Sequence, residues 1–187
     1  LPSRGTSLNG CAMTWDDTFL ALFDRCVTTY RAGNRDFESY YTAEDLGFLG
    51  SIGYQKREFF DFVEDHCEDG TPSPGTSLLV AAVRRDYFIV VQKRSATAGR
   101  RLTRDDVPTF GDELEGIPYL PRILAKARAK LRGELDPDLM FGCGGDRHFL
   151  GKHGGIHPAD FLRRVWAADE DDRKLAAWIA EAKSGHP

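Results

Sequence analysis

The chain has 187 residues, 41% of them hydrophobic and 29% charged, with a formal net charge of −4 and a sequence pI near 5.7. This is ordinary globular composition, with length enough for one substantial domain or two small ones. The acidic balance argues against bulk binding to nucleic acid or an anionic membrane, and no apolar run approaches the ~18–20 residues a spanning helix needs.

Residues 1–12 are polar and Gly-rich and lack the apolar core of a signal peptide. They read as an upstream extension or an expression remnant ahead of Met13, and the expected location is the cytoplasm. The cysteines at 11, 26, 67 and 143 contain no C-x-x-C pair, so reduced thiols are expected rather than a disulfide framework or a Cys-rich zinc site.

The spacing of Phe19, Leu22, Phe23, Cys26, Val27 and Tyr30 predicts a first helix over 15–31, with Thr14 or Asp16 as its N-cap and Gly33-Asn34 after its end. Thr42-Ala43-Glu44-Asp45 has the form of a capping box and opens a short, glycine-weakened second helix. Residues 55–68 form a stronger one, with Phe59, Phe62, Val63 and His66 inside and an acidic stripe of Glu58, Asp61, Asp65 and Glu68 outside. His66 reads as a hydrogen-bonded core histidine.

After the 69–75 loop comes the most apolar run, 78–92. Its β-branched content fits a strand, but its length favours a buried central helix. Arg84 and Arg85 interrupt it, and buried charges must be paired or reach a wet cavity. They read as an Arg–Asp network or as the lining of an anion pocket. Residues 93–117 are charged and weakly patterned, a surface crossover or a functional loop between two halves, 13–95 and 117–185.

Pro118 to Arg132 reads as a helix ended by Gly133, with Leu120, Ile123, Leu124, Ala127 and Leu131 as its inner stripe. Its five cations (Arg122, Lys126, Arg128, Lys130 and Arg132) read first as a solvated face that complements the acidic stripe, then as an anion-binding face. Two further helices follow Pro158 and Asp169 or Asp171. The whole is a mostly α-helical domain of about seven helices spanning 13–187, with a minor strand element admitted at 78–92.

The richest chemistry lies in Phe141-Gly142-Cys143-Gly144-Gly145-Asp146-Arg147-His148. Cys143 between glycines is a candidate nucleophile. Asp146 and His148 are candidate bases, and Arg147, Gly144 and Gly145, with Arg84 and Arg85, are candidate anion contacts. The bland alternative is a tight turn with Asp146 as an N-cap and Cys143 as a filler. Cys143, His148, His153 and His157 match no standard zinc spacing. P-loop, dinucleotide, H-E-x-x-H and G-x-S-x-G patterns are missing, and no cofactor is named.

The blocks at 48–53, 59–65, 84–88, 120–128 and 142–147, in that order, resemble DUF5069, a bacterial family of unknown function. The resemblance covers most of 13–182 and implies one unit, without lending an activity or catalytic residues. The expected function is a small enzyme or ligand-processing protein. It would act on an anionic small molecule at a pocket around the 142–147 loop. The alternative is a non-catalytic helical module that docks a protein partner; a second copy of the chain is also admitted as a partner.

Overall fold

The computed structural model describes residues 13–96 and 99–184, so the expectation for residues 1–12 lies outside the described residues. Eight α-helices are described: α1 Trp15–Arg31, α2 Ala43–Ser51, α3 Lys56–Asp69, α4 Pro74–Val90, α5 Leu120–Arg132, α6 Gly144–Lys152, α7 Pro158–Ala168 and α8 Asp172–Ser184. A two-stranded antiparallel hairpin, β1 Glu113–Leu114 and β2 Ile117–Pro118, precedes α5.

Local signals set most helix starts. Thr14 and Asp17 make a reciprocal capping box on α1, and Thr42 and Asp45 make one on α2. Each satisfies amides that the first turn leaves without an intrahelical partner. Gly70 and Gly133 end α3 and α5 with positive φ.

The run at 78–92 forms no strand. Ser73 caps it and Pro74 occupies the first turn, so the helix carries on to Val90. The minor strand element lies instead at 113–118. There Glu115 and Gly116, both at positive φ, make the two-residue turn whose twist matches a hairpin.

One apolar core runs from Phe19 on α1 to Ile179 on α8. α1 packs on α3, where Phe19, Phe23 and Phe59 meet edge-on or stacked, and α4 packs on α1, α5 and α7. His66 sits at the edge of this cluster; its Nδ1–H donates to the Pro72 carbonyl at 3.0 Å.

The acidic stripe of α3 is not a bare solvated face. Glu58 pairs with Lys130, Asp61 with Arg57, Asp65 with Arg147, and Glu68 accepts from the Tyr30 hydroxyl. Burial pushes the Asp61 carboxyl up to about 7, against the pull of Arg57 beside it. A carboxyl raised on folding contributes stability below its unfolded value of ~4 and loses it as pH rises to the folded value. Asp61→Asn, which stays neutral, should therefore gain on the wild type between about pH 5 and pH 8, by on the order of 2 kcal/mol in urea melts. A wild type that gains on the variant over that range would mean that the Arg57 pair outweighs burial.

Candidate functional site

The hairpin delivers Tyr119 to the start of α5 in a left-handed conformation (φ 73°). From there its hydroxyl donates to Asp146 Oδ1 at 2.8 Å, and its ring packs on Phe149. Burial and the Asp146 charge push the phenol well up, so it stays protonated and acts as a donor.

α5 contributes Lys126. Its buried ammonium lies 2.6 Å from Asp146 Oδ1, 3.1 Å from the Met140 carbonyl and 3.4 Å from Cys143 Sγ. The other Asp146 oxygen accepts the Gly142 amide at 2.7 Å. Asp146 is 0% exposed. Both of its oxygens are engaged by donors, one of them an ammonium, which is what a buried carboxylate requires. In this arrangement it positions Lys126, Tyr119 and the loop, and is not placed to take a proton from substrate.

Gly142 has φ +87°, and a Cβ there would come within 3.2 Å of the Phe62 ring. Both demands call for glycine. Arg147 reaches back across the loop to the Gly142 carbonyl and to Asp65, each at 2.7 Å. It thereby ties α6 to α3.

Cys143 is the N-cap of α6 and remains half-buried, its side chain making no cap hydrogen bond. Gly144 and Gly145 follow it, exposed, and their amides belong to the first turn, where no carbonyl four residues back serves them. A Cβ at Gly145 would lie 3.0 Å from the Tyr119 hydroxyl and 3.9 Å from Cys143 Sγ, so the bare glycine forms the rim between these groups. The loop therefore presents a thiol, a lysine ammonium beneath it, and two helix-terminal amides beside it.

The structure brings Cys143, Gly144, Gly145, Asp146 and Arg147 together. It does not bring Arg84 or Arg85 to them. Arg84 is buried against Gly53 and Gly133 and donates to Gln92, while Arg85 lies over the Trp15 ring and beside Asp86. His148 is exposed on α6, with no hydrogen bond or ion pair among the described residues. His153 Nδ1 lies 2.8 Å from the Phe149 carbonyl and His157 caps α7, and no cluster of metal-ligating side chains forms among the described residues.

Lys126 and Tyr119 did not stand out in the sequence as site residues. Nor are the five cations of α5 one solvated face, because Lys126 and Lys130 are both 2% exposed. Lys130 pairs with Glu58 at 3.0 Å and sits over the Tyr54 ring. The signal was the spacing Ile123, Lys126, Lys130, which keeps both lysines beside the apolar stripe.

Residues 109–187 match a family model described as "Domain of unknown function (DUF5069)". The match takes in the hairpin, α5, the Cys143 loop and the helices after it. The resembling blocks at 48–53, 59–65 and 84–88 lie outside the matched range. No curated protein and no solved structure matches the chain.

Proposed function

We propose, from the match of residues 109–187 to the DUF5069 model, a domain of unknown function, that the chain is a small thiol-dependent group-transfer enzyme whose substrate is an anionic electrophile. The observation that carries this reading is the contact between Cys143 Sγ and the buried Lys126 ammonium at 3.4 Å, at the free N-terminus of α6.

An ammonium fixed beside sulfur, with a helix N-terminus adjoining, favours negative charge at the point where a thiol nucleophile develops it. The Gly144 and Gly145 amides would donate to the oxyanion. Asp146 and Tyr119 act as positioning residues. With an acyl phosphate, the Cys143 sulfur would attack the carbonyl carbon, the acyl C–O bond would break, and phosphate would leave carrying the thiol proton. Water would then hydrolyse the thioester.

Acetyl phosphate is a direct probe. Incubation followed by peptide mass mapping should find the acetyl group on Cys143, with phosphate released catalytically and both signals lost in Cys143→Ser. Labelling elsewhere with Cys143 bare, or phosphate release unchanged in Cys143→Ser, would remove the reading.

A further inference from the structure

α5 carries cations on two faces. Lys126 and Lys130 point inward. On the opposite side Arg128 and Arg132, one turn apart, flank a stripe of two small residues, Ala125 and Ala129. The crossover is pinned over that stripe. The Leu102 amide donates to the Glu134 carbonyl at 2.8 Å, and the Asp136 amide donates to the Leu102 carbonyl at 3.1 Å, giving a parallel bridge between Leu102 and Leu135. Arg100 and Arg101 are thereby held across from Arg128 and Arg132, and the groove between them encloses about 340 Å³.

Its lining carries four arginines and two carboxylates, Asp106 and Glu134. Each carboxylate answers one arginine: Asp106 pairs with Arg100 and Glu134 with Arg132, both at 2.7 Å. Arg128 is answered from beside the groove, by Asp172 at 2.5 Å and by Glu170, whose carboxylate lies 3.7 Å from its Nε, and it donates to the Asp169 carbonyl at 2.9 Å. Arg101 is exposed and makes no ion pair among the described residues.

We propose that this groove is a binding site for a small phosphomonoester with an apolar body. Planar guanidinium groups on two facing walls suit the oxygens of a phosphate, which they can grip in paired hydrogen bonds. The floor of Ala125, Ala129 and Leu102 offers a flat apolar surface that inorganic phosphate would leave unused. The volume falls within the range of small-molecule sites. Among the described residues the lining holds no aromatic ring on which nucleobases would stack, which counts against single-stranded nucleic acid. The site lies on the far side of α5 from Cys143 and does not depend on the thiol reading.

Calorimetric titration with phenyl phosphate and with inorganic phosphate tests it. The full chain should bind phenyl phosphate saturably and about tenfold or more tighter than inorganic phosphate. The Arg100→Ala/Arg101→Ala double variant, altered only at exposed side chains, should lose about tenfold or more of that affinity. Ala125→Glu, which sets a carboxylate in the floor, should abolish binding while leaving the circular dichroism spectrum unchanged. If phenyl phosphate shows no saturable binding at millimolar concentration, or binds the double variant as tightly as the wild type, the assignment is overturned.

Discussion

Asp146→Ala should destabilise the protein by about 3–5 kcal/mol, the usual consequence of removing one partner from a buried ion pair. The cost has three parts. The buried Lys126 ammonium loses its one anionic partner within hydrogen-bond reach among the described residues. The buried Gly142 amide and the half-buried Tyr119 hydroxyl lose their acceptor. The comparison is Asp65→Ala, which breaks the partly exposed pair with Arg147 (16% and 26% exposed) and should cost about 1 kcal/mol or less. Urea unfolding of the two variants measures the contrast. A loss below about 1 kcal/mol for Asp146→Ala would mean that the carboxylate does not hold the loop, and the account of the site would fail with it.

Gly154→Ala should be nearly as damaging, at about 3 kcal/mol. The residue has φ +86°, and a Cβ built on it would stand 2.5 Å from the Ala182 carbonyl oxygen, a backbone atom of α8. The left-handed conformation alone costs an alanine roughly 1–2 kcal/mol. The overlap adds to this, because it is relieved only if the end of α8 moves off the 153–157 turn. Gly155→Ala supplies the control: its φ is +67°, but nothing lies within 4 Å of the added carbon. It should show the conformational cost alone, about 1–2 kcal/mol. Equal losses in the two variants would mean that the contact with Ala182 contributes nothing.

The helical architecture was legible because its signals are local. Thr14 and Thr42 each precede an Asp three residues on, Gly70 and Gly133 stand just past their helices, and apolar residues recur at three and four along α1, α3 and α5. The hairpin at 113–118 escaped notice because two-residue strands carry almost no periodicity. Its remaining signal, Glu115-Gly116 between Leu114 and Ile117, sits inside a long charged stretch.

Of the candidate site, the sequence displayed the cluster but not its partners. Cys143, Asp146 and Arg147 are neighbours in the chain, so their proximity was readable. That Lys126 and Tyr119 would meet them depends on how α5 packs against α6, which no local pattern encodes. Arg84 went the other way. Its place in an apolar run suggests an Arg–Asp network or an anion pocket, yet its guanidinium donates to Gln92 and lies against Gly53 and Gly133, where a Cβ on either glycine would come within 3.0 Å or less of it. The expected match of the α5 cations to the acidic stripe forms at Lys130 and Glu58, but not on a solvated face: charge suggests solvent, whereas a lysine with a buried carboxylate opposite it can sit inside.

The most direct test of the central claim, an accessible Cys143 thiol served by the Lys126 ammonium, is the carboxymethylation rate of each cysteine in the native protein. Iodoacetate and iodoacetamide would be compared at one pH and the products mapped by peptide mass. Cys67 is the internal reference, since it is also half-buried but burial pushes its thiol up. Cys143 should react about tenfold or more faster than Cys67, and it should show the stronger preference for the anionic reagent, drawn by Lys126 and the α6 terminus. Equal rates at the two cysteines, or no preference for iodoacetate at Cys143, would contradict the account.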